Sequence, residues 1–210
     1  MTDTDKIERS ITALILAGGQ SSRMGTDKAL LTWENKTLLF QMCQIAAECS
    51  TSVYVVTPWI YKYRDILPPG CKLIEEKLVL PERNSNSPLI GFTQGLRQVT
   101  SKWVLLLPCD LPLLSSSQIK QWIPYLATVL STEIALLPRH PKGWEPLCGF
   151  YRCSCLPLLE TYIAEGGKSF QGWLARYQVR ELPVKDRQIL FNCNTPKDWR
   201  IAKEKQANYE

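Results

Sequence analysis

Short apolar runs rich in β-branched and leucine residues alternate with stretches of helical periodicity, and this alternation limits the fold more than any other feature of the chain. Residues 12–17 (TALILA), 52–57 (SVYVVT), 71–76 (CKLIEE) and 102–107 (KWVLLL) read as strands. Between them, Leu38, Met42, Ile45 and Cys49 fall on one helical face, as do Leu89, Phe92, Leu96 and Val99. Strands alternating with helices predict an α/β fold with a doubly wound, mostly parallel sheet. A strand that is apolar along its whole length, such as 102–107, suits a parallel sheet covered on both faces. Ser87-Pro88 supplies a helix N-cap and a proline at the first helical position.

The second half is less regular. Strands are expected at 134–137, 146–151, 179–184 and 189–193, and helices at 115–130, disturbed near Pro124, at 156–165 and at 169–177. A last helix starts after Thr195-Pro196-Lys197-Asp198, with Thr195 as cap and Asp198 where a capping-box acid belongs. Residues 84–87 (NSNS) read as a polar loop. No repeat, low-complexity tract or linker divides the chain, and 210 residues suit a single domain of roughly 50–250 residues.

In open α/β sheets ligands bind beyond the carboxyl ends of the strands, so the loops after Ala17 and Leu107 are the places to seek chemistry. The first is the segment 14–31, LILAGGQSSRMGTDKALL. Its glycines let backbone N–H groups approach phosphate oxygens. Arg23 offers a planar fork for phosphate and Lys28 a mobile point charge. A plain strand-to-helix turn needs a glycine or two but no such pair of cations. The loop matches neither the Walker A pattern nor G-x-G-x-x-G, and Gly167-Lys168-Ser169 lacks the earlier glycine of a Walker A sequence.

The second is 105–112, LLLPCDLP. Asp110 stands just past a buried strand, where a carboxylate can hold Mg²⁺ against nucleotide phosphates. A turn aspartate is the bland alternative. Two further segments stand out: SPLIG at 87–91 preceded by Glu76, and NCNTP at 192–196 with EPLCGFYR at 145–152. On a strand, Asn192 and Asn194 would face one side and Cys193 the other. Capping accounts for Thr195-Pro196 but leaves the two amides, which suit the polar edge of a heterocycle.

Leu16, Ala17, Gly18, Gly19, Ser21, Arg23, Met24, Gly25, Asp27 and Lys28 together resemble the signature of the molybdenum cofactor guanylyltransferases. Gly18-Gly19 and Asp27-Lys28 favour that branch over related nucleotidyltransferases. The resemblance implies a Rossmann-like nucleotidyltransferase fold and transfer of GMP from GTP to the terminal phosphate of molybdopterin, with release of pyrophosphate. It makes Asp110 the ligand of Mg²⁺. Arg23 and Lys28 join Asp110 as catalytic groups, while Leu16, Ala17, Gly18, Gly19 and Glu76 contact the nucleotide. Asn192 and Asn194 fall to the molybdopterin side, and the single domain divides into a GTP and Mg²⁺ half over about 11–115 and an acceptor half over about 116–205. Transient contact with other cofactor-biosynthesis proteins or apo-molybdoenzymes is a further implication. Ser87 stands where the family has glycine, and Glu76 where an aspartate is more usual; a solvated strand-end acid is the alternative reading of Glu76. Two rivals stay open: a CTP- or UTP-dependent transferase of the same fold, and a non-catalytic nucleotide-binding module.

Composition excludes other classes. A net charge of +5 with scattered Lys and Arg does not suggest a nucleic-acid binder. Residues 1–10 are polar with three acids, unlike a signal peptide, and no run reaches the ~20 apolar residues of a membrane span. A cytoplasmic location is therefore expected, with the eight cysteines reduced. Cys43, Cys49, Cys109 and Cys193 read as small buried hydrophobes. Cys153-x-Cys155 lacks the partners of a zinc site, and His140, the single histidine, is expected to be an exposed loop residue without a role.

Overall fold

The central strands have no polar face to offer water. A computed structural model describes residues 10–19, 24–78 and 87–207. In chain order the elements are β1 (Ile11–Leu16), β2 (Thr32–Trp33), β3 (Lys36–Thr37), α1 (Leu38–Ala47), β4 (Ser52–Thr57), α2 (Ile60–Tyr63) and β5 (Cys71–Glu75). Next come α3 (Pro88–Leu96), β6 (Trp103–Pro108), α4 (Ser116–Trp122), β7 (Glu133–Leu137), β8 (Arg139–His140), β9 (Gly143–Trp144) and β10 (Gly149–Arg152). The chain then runs through α5 (Leu156–Ala164), α6 (Phe170–Leu174), β11 (Gln178–Glu181) and α7 (Pro196–Ala207).

Seven strands form one sheet in the order β11-β7-β10-β6-β1-β4-β5. β5, β4, β1 and β6 pair in parallel, β10 is antiparallel to both β6 and β7, and β11 is parallel to β7. The expected doubly wound, mostly parallel α/β architecture is the one observed. Because β10 pairs directly with β6, the two halves of the chain share a continuous sheet.

Side chains alternate across it. Ile11, Ala13 and Ile15 of β1 and Leu105 and Leu107 of β6 pack under α1 and α4 through Leu39, Met42 and Ile119. Leu14, Val104 and Leu106 face the opposite layer, built from Leu89 and Phe92 of α3, Leu159 of α5 and Trp173 of α6. Each fully buried aliphatic side chain of this kind stabilises the fold by about 1.5–3 kcal/mol. The exposed Arg97–Glu160 pair between α3 and α5 adds far less, about 0–1 kcal/mol. Packing therefore sets the position of these helices.

Local differences from the sequence reading have physical causes. The helix expected over 115–130 is α4 followed by a 3-10 turn at Ile123–Thr128, where Pro124 lacks the N–H an α-helix would use. The Ser115–Gln118 capping box starts α4. Ser87 sits at the N-cap of α3 with Pro88 next to it, but its side chain makes no cap bond. The strand expected at 179–184 is shorter, ending at Glu181.

Residues 189–193 are not a strand. A 3-10 turn covers Arg187–Leu190, and 191–194 continue without regular structure. Their apolar side chains find burial without a ladder: Ile189 joins the main core, and Cys193 packs with Trp33, Leu38 and Ala202. Two short hairpins, β2–β3 and β8–β9, add to the elements expected from the sequence. The first turns through Glu34 and Asn35 at positive φ (49° and 63°), the left-handed pair that a two-residue hairpin requires. Among the described residues no helix is long and apolar enough to cross a membrane.

Candidate active site

Winding leads outward from β1 through β4 to β5, then returns to the opposite side of β1 at β6. The carboxyl ends of β1 and β6 therefore flank the point where strand order reverses, the place where open α/β sheets form a crevice. A cavity of about 520 Å³ occupies it. Leu16, Ala17, Gly18 and Gly19 form one wall. Lys28, Glu76, Asp110, Asn192 and Asn194 project around it. Arg23 and Ser21 lie outside the described residues, as do 84–86 of the polar loop.

The glycine wall has a steric reason. Ala17 N–H still donates to Val56 O at 2.9 Å, so the chain leaves the sheet only at Gly18. A Cβ on Gly18 would stand 2.6 Å from Glu76 Oε2, and one on Gly91 would stand 3.3 Å from both Glu76 carboxylate oxygens. Glu76 is held by its own N–H to Thr57 O at 2.9 Å and is only 6% exposed. The solvated strand-end reading of Glu76 is thus corrected: glycine faces on both sides admit the longer side chain into the crevice.

Lys28 is aimed by its neighbour. Asp27 caps the 3-10 turn Lys28–Leu30, taking the Ala29 N–H on Oδ1 at 3.1 Å and the Tyr63 hydroxyl on Oδ2 at 2.8 Å. Burial, and then the adjacent Asp27 carboxylate, push the Tyr63 phenol far above its usual range, so it remains a donor. Sequence reasoning misses Tyr63, because its distance along the chain from Asp27 leaves no pattern to find.

From this turn Lys28 Nζ reaches Asp110 Oδ2 at 2.8 Å and Asn194 Oδ1 at 2.8 Å. Both members of the ion pair are largely buried, with side chains 16% and 13% exposed. Asp110 Oδ1 is buried without a hydrogen-bond partner among the described residues. An orphaned carboxylate oxygen in a buried site is costly unless a donor or cation meets it. Among the described residues no group of three or more His, Cys, Asp or Glu is placed to hold a metal. A cation here would thus take Asp110 as its single carboxylate and fill its shell from elsewhere, which is how Mg²⁺ binds with phosphates.

The C-terminal segment is fastened to the same point. Cys193 N–H donates to Asp110 O at 3.0 Å. Asn194 and Thr195 N–H groups donate to Asp198 Oδ2 at 3.1 and 2.8 Å, and Asp198 N–H donates to Thr195 Oγ1 at 3.2 Å. This reciprocal cap is the one read from the sequence. Desolvation pushes the Asp198 carboxyl up, but the hydrogen bonds from Thr195 and from the backbone of Asn194 and Thr195 outweigh it and hold the group below its usual value. Asn192 and Asn194 do reach one cavity while Cys193 is buried away from it, though by an irregular turn and not by strand alternation. Asn194 Oδ1 accepts from Lys28 Nζ, so it is joined directly to the segment that follows the glycine loop.

Cys109 also lines the crevice. Burial, followed by the charge of Asp110, pushes its thiol up to about 12, so it stays protonated and is no nucleophile at neutral pH. Cys43, Cys49 and Cys193 are buried as expected, while Cys109 is partly exposed to the cavity; all four are thiols and not halves of a disulfide. His140 is exposed on β8, where its Nδ1 accepts from Lys142 N–H at 3.3 Å. It borders a second cavity of about 710 Å³, into which Arg139, Lys185, Arg187 and Lys205 bring more positive charge than Glu145 and Glu181 offset. Asn192 lines both cavities.

A glycine wall, a lysine and the buried Asp110 carboxylate it pairs with, at the reversal of a doubly wound sheet, suit a nucleotide-handling enzyme of the nucleotidyltransferase class. The family model described as the MobA-like NTP transferase domain matches residues 13–181. A probable molybdenum cofactor guanylyltransferase of Nostoc sp. is 53% identical over 189 residues, covering 90% of this chain and 88% of the relative. One from Synechococcus elongatus is 40% identical, covering 89% and 95%. Among solved structures, molybdopterin-guanine dinucleotide biosynthesis protein A of Archaeoglobus fulgidus has the same fold, with a TM-score of 0.74 at 21% identity over 94% of this chain and 99% of that one. The chain belongs to the MobA-like nucleotidyltransferase family.

Proposed function

We propose that the chain transfers GMP from GTP to the terminal phosphate of molybdopterin in the cytoplasm, with the glycine-wall cavity as the GTP site and the second cavity as the acceptor site. The observation that carries this reading is the Lys28–Asp110 pair beside the Gly18–Gly19 backbone, with Asp110 Oδ1 left for a cation. An oxygen of the acceptor phosphate attacks the α-phosphorus of GTP, the bond to the β-phosphate breaks, and pyrophosphate leaves. The attacking oxygen is already anionic, so no side chain need take a proton, in keeping with the protonated thiol of Cys109. Such transfers depend on positioning and charge neutralisation. A magnesium ion held by Asp110 would supply neutralisation of the triphosphate. Lys28 and, by its motif, Arg23 bind the same phosphates, backbone N–H groups of the glycine loop line them, and Glu76 bounds the nucleoside end.

Pyrophosphate release measured with each of the four nucleoside triphosphates, with and without molybdopterin, tests the proposal. GTP with acceptor is expected to dominate. Equal turnover of CTP or UTP would assign the chain to a different transferase of this fold, and no release with any nucleotide would leave a binding module.

The shared wall makes a finer prediction. Asn192 borders both cavities, while its neighbour Asn194 is engaged with Lys28. Asn192→Ala is therefore expected to raise the KM for molybdopterin by up to about tenfold, the value of one or two hydrogen bonds, and to weaken GTP binding less, because Lys28 and the glycine wall still hold the phosphates. Titrating the two ligands separately checks this; weaker GTP binding with unaltered acceptor binding would reverse the assignment of the cavities.

A further inference from the structure

The geometry points to Lys28 as a placeholder cation on Asp110: it masks the metal ligand until a triphosphate draws it away, so that nucleotide and metal can bind tightly only together. The inference rests on the proposed nucleotide and metal roles of this cavity and adds the coupling between them. Three observations carry it. The ammonium group of Lys28 lies 2.8 Å from Asp110 Oδ2 and neutralises the carboxylate on which a metal would depend. The other oxygen, Oδ1, is buried and has no hydrogen-bond partner among the described residues, so the half of the carboxylate that lacks a partner lies next to a cation already in place. Asn194 Oδ1 holds the same ammonium from a second side at 2.8 Å, and Asn194 is itself pinned through Asp198.

Charge repulsion is the source of the coupling. A divalent cation arriving at Oδ1 meets the Lys28 ammonium across one carboxylate, in a site shielded from water where charges interact more strongly than at the surface. Lysine sits on a flexible four-carbon stem and can exchange one anion for another. The Gly18–Gly19 wall of the same cavity is where phosphate oxygens would offer it that exchange. Drawing Lys28 onto the triphosphate restores full charge to Asp110 for the metal. By thermodynamic reciprocity, metal on Asp110 then favours Lys28 on the phosphates to the same extent.

Two binding measurements on the 210-residue chain test this without turnover. In the first, Mn²⁺ binding is followed by electron paramagnetic resonance in the absence of nucleotide. Lys28→Met is expected to bind Mn²⁺ at least ~10-fold more tightly than the natural chain. Lys62→Met removes a neighbouring cation that lies 3.8 Å from Asp27 rather than on Asp110. It is expected to change Mn²⁺ affinity by less than ~2-fold, since a partly exposed charge is screened. In the second, GTP is titrated in EDTA. Asp110→Asn no longer grips Lys28 as an ion pair and is expected to bind metal-free GTP at least ~3-fold more tightly than the natural chain.

Unchanged or weaker Mn²⁺ binding by Lys28→Met, when Mn²⁺ binds the natural chain with GTP present, overturns the placeholder role and leaves the site itself standing. Failure of Mn²⁺ to bind the natural chain even with GTP overturns the metal reading of Asp110 and the inference with it. Should Lys28→Met fail to fold by circular dichroism, the Asp110→Asn titration decides, and unimproved GTP binding there overturns the inference.

Discussion

Asp110→Asn is expected to lower turnover about 10²–10³-fold while the protein stays folded, the loss typical when one preorganised charge stabiliser is removed from an active site. The amide keeps the size of the carboxylate and an oxygen that can still accept from Lys28 Nζ, which lies 2.8 Å from Oδ2 in the natural chain. It also leaves untouched the backbone carbonyl that accepts from Cys193 N–H. Packing around β6 is therefore preserved, and the substitution removes only the charge. A thermal melt should show little change. The dependence of rate on Mg²⁺ should shift to much higher concentration, because the remaining amide oxygen is a poor ligand for a hard cation. Activity close to that of the natural chain, at the same Mg²⁺ concentration, would remove Asp110 from the mechanism.

Lys28→Ala is expected to be comparably damaging, again about 10²–10³-fold in kcat/KM, with part of the loss in GTP affinity. Through its bonds to Asp110 and Asn194, the lysine joins the glycine loop to the end of β6 and to the C-terminal segment. Removing it subtracts positive charge from the phosphate cavity and leaves Asp110 without its ion-pair partner. Some loss of stability is expected as well, limited because the pair borders a cavity that water can enter. Steady-state kinetics with GTP varied, together with a melting curve, separate the two effects. A variant that loses stability but retains its rate per folded molecule would make Lys28 structural.

How much of the fold and site is legible in the sequence depends on the range over which each pattern is written. The strands β1 and β6 announce themselves because burial on both faces demands a nearly continuous apolar run. The glycine loop and the cap at Thr195–Asp198 are equally local, set by neighbours a few residues apart. The segment 189–193 reads wrongly as a strand because an apolar run looks the same whether it pairs in a sheet or packs its side chains against a helix and a hairpin. The two-residue strands of the hairpins are too short to carry a period.

By itself the sequence determined the doubly wound sheet, the loops in which chemistry would lie, and the presence of Lys28 and Asp110 in them. Only the tertiary structure decided which groups those residues meet. Lys28 and Asn194 are separated by 166 positions, and nothing local in either motif specifies that they meet. The enclosure of Glu76 by Gly18 and Gly91, and the support of Asp27 by Tyr63, are likewise settled by packing between distant elements. Propensity and periodicity act over one turn or one strand. The partners of a buried charge are chosen by whichever groups the closed sheet brings within hydrogen-bond reach, because a charge taken from water must find compensation wherever the fold provides it.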